Sequence, residues 1–97
     1  MELNLPIKYQ KDIENAVGFL KNEGCKSVYL FGSLATGKFH DNSDIDIGIK
    51  GLPVGKFIRV YAKLDDIVSN EVDLVDFDSQ DMFYKFLESI GEVIQIG

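Results

Sequence analysis

Phe31-Gly32-Ser33-Leu34-Ala35-Thr36-Gly37, then a short polar loop, then Ser43-Asp44-Ile45-Asp46-Ile47-Gly48-Ile49: this stretch decides the fold. A Gly-Ser pair follows the apolar run Val28-Tyr29-Leu30-Phe31, and two aspartates one residue apart sit inside a second apolar run. Alternate side chains of a strand share a face, so Asp44 and Asp46 project to one side and Ile45, Ile47 and Ile49 to the other. Two carboxylates side by side repel, and burying them is costly unless a cation lies between them. Hard oxygen ligands of this kind suit Mg²⁺, which brings waters and substrate phosphates to complete its octahedron. The Gly-Ser turn, at what reads as a helix start, offers backbone N–H groups and a hydroxyl to an anion. Together, a phosphate cradle and a carboxylate pair point to a nucleoside triphosphate and to metal-assisted phosphoryl or nucleotidyl chemistry.

Working outward, Cys25 to Phe31 reads as a strand buried on both faces. Ser33 to Thr36 reads as a short helical turn, Lys38 to Ser43 as a loop, and Asp44 to Lys50 as the second strand. Upstream, Ile13, Ala16, Val17 and Leu20 recur at helical spacing within a helix from about Ile7 to Asn22, which Gly24 is placed to stop. Met1 to Pro6 reads as a loosely held lead-in. Downstream, Gly51-Leu52-Pro53 ends the strand and opens a helix with the stripe Phe57, Ile58, Tyr61, Leu64, Ile67 and Val68. Glu71 to Phe77 is a third strand. Asp78 or Ser79 can cap a last helix whose inner face is Met82, Phe83, Phe86, Leu87 and Ile90. Gly91 ends that helix, and Val93 to Ile96 is a short final strand. The expected fold is α/β (α+β), with the order αβ(α)βαβαβ: a small mixed sheet of about four strands and helices packed mainly on one face.

Gly32-Ser33-x-Ala35-x-Gly37 followed by Ser43-Asp44-Ile45-Asp46 resembles the signature of the polymerase-beta-like nucleotidyltransferases. The compact length is similar to their minimal nucleotidyltransferase group, the MNT or MntA type. Either half alone is weak, whereas the ordered pair at this spacing is specific. One departure is Thr36, where the family often has Arg. The resemblance covers essentially the whole chain and implies a mixed sheet whose strands carry the carboxylates.

Composition sets bounds. The chain has 97 residues, enough for one small domain spanning 1–97, and 45% are apolar, enough for one core. A net charge of −6 speaks against a general nucleic-acid surface, but not against a nucleotide, because Mg²⁺ reverses the local sign. The single Cys25 has no intramolecular disulfide partner, which suits a reducing cytoplasm. No apolar run approaches the roughly 20 residues that span a bilayer, and the N-terminus lacks the layout of a signal peptide. No room remains for a separate base-recognition or acceptor-binding domain.

Asp44 and Asp46 could simply face solvent from an edge strand. However, Asp is depleted in strands, and two on one face without an adjacent cation is a poor structural choice. They are therefore read as ligands for one or two Mg²⁺ ions. Asp73, between Val72 and Leu74, is the favoured third carboxylate; Asp76 competes, but shares a face with those two core residues. In the family the corresponding aspartate ligates the metal on the nucleophile side and helps deprotonate the acceptor hydroxyl. Gly32 and Ser33 would hold the β- and γ-phosphates, or form a capped tight turn with the same geometry. Ser43 either adds a phosphate contact or ends the loop. Lys38 and His40 read as exposed, Cys25 as buried filler, Phe57 and Tyr61 as core, and Asp65-Asp66 as a solvated helix face.

The expected activity is transfer of a nucleoside monophosphate, AMP from ATP, to a hydroxyl with loss of pyrophosphate. The resemblance implies more: such proteins are commonly encoded beside a HEPN-domain toxin and can modify a tyrosine on it with AMP, as type VII-like antitoxins. Two rivals stand beside this, a non-catalytic nucleotide-binding antitoxin and a small-molecule, antibiotic-type nucleotidyltransferase. An acidic surface would suit a basic, RNA-binding partner. The residues leave base preference and homo-oligomerisation open.

Overall fold

Three isoleucines at alternate positions, Ile45, Ile47 and Ile49, are all fully buried, and burial of each contributes about 1.5–3 kcal/mol. They belong to β2 (Ile45–Lys50), around which the other elements assemble: α1 (Ile7–Asn22), β1 (Ser27–Phe31), α2 (Ser33–Thr36), α3 (Phe57–Ile67), β3 (Val72–Asp76), α4 (Asp81–Ser89) and β4 (Val93–Gln95). The computed structural model describes residues 4–97. Its four-stranded sheet has the order β3-β2-β1-β4. β1 pairs antiparallel with β2 and β4, while β2 and β3 run parallel, so the sheet is mixed. That register sets the C-terminal end of β1 beside the N-terminal ends of β2 and β3.

The two faces differ. On one, the isoleucines join Val28, Leu30, Val72 and Leu74 of the sheet, Tyr9, Ile13, Ala16 and Leu20 of α1, and Val60 and Leu64 of α3. On the other, Tyr29 and Phe31 pack with Phe77 and with Leu87 of α4. Gly48 makes that packing possible, since a Cβ there would stand 2.0 Å from the Phe77 ring. Lys50 closes the edge of this cluster, its ammonium 3.6 Å from the Tyr84 ring centroid. Among the described residues no helix is long and apolar enough to cross a membrane.

The element order and the helix bounds of α1 and α2 agree with the sequence reading; several side chains do not. In α4 only Leu87 is buried, while Met82, Phe83, Phe86 and Ile90 are exposed. Helical spacing identifies an apolar stripe, but β4 is three residues long and leaves little sheet for α4 to cover. In α3 the inward side chains are Val60 and Leu64, and Ile58 and Ile67 face out. That helix begins only at Phe57, because Pro53 to Lys56 form a turn closed by the Lys56 N–H on the Pro53 carbonyl. Neither Asp78 nor Ser79 caps α4: its N-cap is Gln80, and the Asp78 carboxylate instead accepts from the Gly51 N–H at 2.7 Å. The lead-in is held at Leu5, which is buried in the core; its first three residues lie outside the described ones.

Candidate active site

β1 delivers Phe31 to the position beside Asp46, and the chain then turns at Gly32 with φ 72° and ψ −153°. That backbone region is essentially restricted to glycine. Space imposes the same choice, since a Cβ on Gly32 would lie 2.1 Å from Asp46 Oδ2. The turn that opens α2 and the carboxylate on β2 are therefore one packed unit. Ala35 and Thr36 N–H groups donate to the Gly32 carbonyl and close the short helix, and Leu34 anchors it in the core.

On its other side Asp46 is paired with Asp73 across the parallel β2–β3 ladder. Asp73 faces away from the Val72 and Leu74 core, as alternation requires. Asp76 is paired with Ile49 on the opposite face, and its carboxylate accepts from the Asp78 N–H. Asp44 stands one residue ahead of β2 and is exposed, on the Asp46 side by alternation. The structure thus brings Asp44, Asp46 and Asp73 to one end of one sheet face and excludes Asp76.

Burial pushes the Asp46 carboxyl up to about 6, and the charges of Asp73 and Asp44 add to it. A carboxylate pressed by two like charges and backed by a glycine has little to stabilise its ionised form. Asp73 is better supported, because the Tyr61 hydroxyl reaches round the open edge of the sheet to the Val72 carbonyl at 3.0 Å and to Asp73 Oδ1 at 3.3 Å. Burial raises the Tyr61 pKa, so this hydroxyl keeps its proton.

The loop between α2 and β2 is fixed from within. Ser43 is buried, its hydroxyl accepting from the His40 N–H at 2.8 Å, and its carbonyl accepts from the Tyr9 hydroxyl at 3.1 Å. Ser43 thus helps to close the loop ahead of Asp44. Phe39 packs edge-on against the Tyr9 ring, and Lys38 and His40 are exposed.

Sequence reasoning missed Tyr9, Tyr61 and, above all, Asp12. The Asp12 carboxylate is 2% exposed and accepts from the Ser69 N–H at 2.9 Å and the Asn70 N–H at 2.8 Å, as well as from both side chains. Burial alone would raise its pKa, but these hydrogen bonds outweigh it and hold the carboxyl below its usual value. It pins the segment leading into β3 to α1. A signal existed: Asp12 stands three residues after Tyr9 and four before Ala16, on the buried stripe of α1.

Among the described residues no three His, Cys, Asp or Glu side chains are gathered closely enough to hold a metal ion as they stand. The donor set itself fits Mg²⁺: hard oxygens from adjacent strands, with a desolvated carboxylate at the centre and no Cβ behind it.

Residues 14–95 match the family model described as "Polymerase beta, Nucleotidyltransferase". No curated protein matches the chain significantly. Among solved structures, a toxin-antitoxin crystallised with AMP-PNP is 30% identical, with a TM-score of 0.67 over 84% of this chain and 70% of that one. A tyrosine-to-alanine mutant of the toxin-antitoxin MntA-HpeT is 26% identical, with a TM-score of 0.68 over 88% and 71%. A second MntA-HpeT mutant, with two aspartates two positions apart changed to glutamate, is 25% identical, with a TM-score of 0.66 over 84% and 69%.

Proposed function

The chain belongs to the polymerase-beta nucleotidyltransferase family, as a minimal nucleotidyltransferase, and from that premise we propose that it transfers AMP from ATP to a tyrosine hydroxyl of a toxin partner. The observation that carries the reading is the pairing of Asp46 with Asp73 on one side and its packing against Gly32 on the other. That arrangement supports a carboxylate site beside a turn suited to phosphates.

In this reading Gly32 and Ser33 hold the β- and γ-phosphates, and Ser43 shapes the loop ahead of Asp44. Two Mg²⁺ ions, held by Asp44, Asp46 and Asp73, would supply positive charge to the attacking and leaving oxygens. The acceptor oxygen bonds to the α-phosphorus, the bond from that phosphorus to the bridging oxygen breaks, and pyrophosphate leaves. Asp73, held by Tyr61, takes the hydroxyl proton. Catalysis then consists of positioning and charge stabilisation, with no covalent enzyme intermediate.

Support for ATP and for a toxin partner comes from the relative crystallised with AMP-PNP and from the MntA-HpeT complexes. The paired Asp-to-Glu mutant matches the spacing of Asp44 and Asp46. A HEPN-domain toxin, a type VII-like antitoxin role, a cytoplasmic setting and a single domain over 1–97 complete the reading. The test is α-labelled ATP with Mg²⁺, the protein and whatever co-purifies with it, beside Asp44→Ala with Asp46→Ala. Label on the partner, lost in the double variant, is the expected result. If no NTP gives label and the double variant still neutralises the partner, the enzyme reading fails and a binding antitoxin remains.

A further inference from the structure

The site residues run in a line across the sheet. Gly32 and Ser33 close β1, Asp46 lies next to them on β2, and Asp73 lies on β3, the edge strand. Beyond Asp73, on the side away from Gly32, a groove of about 420 Å³ opens between α3 and the start of β3. Ile58, Tyr61, Ala62, Asp65, Glu71 and Asp73 line it, with no lysine or arginine in its wall.

We infer that this groove receives the segment of the acceptor protein that carries the reacting hydroxyl, and that it selects a segment with basic side chains beside that hydroxyl. The inference rests on the nucleotidyl-transfer reading, which makes Asp73 the residue that faces the acceptor. An in-line displacement needs the attacking oxygen opposite the leaving pyrophosphate. With the phosphates at Gly32 and Ser33, the opposite side is the Asp73 side, where the groove begins. Its size suits one side chain and its flanks. Asp65 and Glu71 add two exposed carboxylates to Asp73. Ile58, 80% exposed, offers an apolar surface on which the methylene stem of a lysine or arginine can lie while its charge meets the acids. The Tyr61 hydroxyl, engaged by Val72 and Asp73, makes one wall rigid.

The experiment uses the full chain and two synthetic peptides of equal length, each with one central tyrosine, flanked by lysines in one and by glutamates in the other. Fluorescence anisotropy with Mg²⁺ and AMP-PNP reads binding, and α-labelled ATP reads transfer. Asp65→Lys with Glu71→Lys inverts the groove's charge. Glu14→Lys with Asp81→Lys makes the same change in net charge at exposed residues that do not line it. The wild type and the latter variant are expected to bind the lysine peptide at least about tenfold more tightly than the glutamate peptide, and the groove variant to lose or invert that ratio. AMP-PNP affinity should be the same in all three. Equal binding of the two peptides, or no binding of either, overturns the inference. So does a ratio that survives in the groove variant or collapses in the other. A groove-dependent ratio without label on either peptide upholds the groove and removes the transferase reading instead.

Discussion

Two aspartates, Asp12 buried and Asp46 half-buried, serve opposite ends. Asp12 sits between α1 and the segment before β3, with both its oxygens occupied by N–H and hydroxyl donors of Ser69 and Asn70. Asp46 sits on the other sheet face with two carboxylates and a glycine for company, and its pKa moves up where that of Asp12 moves down. A charge that holds a fold together is solvated by protein donors. A charge suited to a cation is left short of protein partners.

The largest effect that would break this contrast is on turnover. Asp46→Asn should lower nucleotidyl transfer by about a thousandfold, because it removes a ligand of the Mg²⁺ that would stabilise the reacting phosphate, yet leave the metal-free protein at least as stable. Single-turnover assays and thermal melts in EDTA check both halves; a large loss of Tm in EDTA would refute the view of Asp46 as an unsupported charge. Asp12→Ala should do the reverse. It strands two backbone N–H groups, costing about 3 kcal/mol and lowering Tm by more than about 10 °C, with transfer per folded molecule little changed at low temperature.

Gly32→Ala joins the two regimes. The new Cβ meets Asp46 Oδ2 and the backbone conformation is strained, so about 1–3 kcal/mol of stability and much of the activity should go together. Unchanged activity in that variant would separate the Gly-Ser turn from the carboxylate. The smallest effect is on pH. The folded-state pKa of Asp46 is raised to about 6, so its stabilising contribution is complete below the unfolded value of 3.8 and is lost as pH rises through about 6. Discounted for solvent screening, this is on the order of 1 kcal/mol in metal-free protein, and Asp46→Asn should abolish it. Asp12, with a lowered pKa, contributes above its unfolded value and loses that contribution as pH falls through the folded value. Chemical denaturation across pH 4 to 8 in EDTA brackets the Asp46 titration, while the loss at Asp12 lies below the ordinary value of 3.8.

Much of the architecture was legible in the chain. Period-two alternation marked β2 and β3 and assigned Asp46 and Asp73 to the face away from the isoleucines, because strand geometry is local. The Gly-Ser turn was legible too, since its backbone conformation is open only to glycine. Less legible were the inward side chains of α3 and α4. A helix carries its apolar stripe in its sequence, but what covers that stripe lies elsewhere in the chain. Asp65, read as a plain solvated residue, turns out to line the groove beside Asp73.

By itself, then, the sequence determined the order of elements, the face on which each strand residue lies, and the glycine that must precede Ser33, all consequences of backbone stereochemistry over a few residues. Only the tertiary structure decided that Asp73 stands directly beside Asp46, that Gly32 backs the same carboxylate, that Asp12 fastens α1 to Ser69 and Asn70, and that Tyr61 reaches Asp73. Each of these joins residues far apart in the chain. Their meeting depends on strand register and helix packing, which no local pattern encodes.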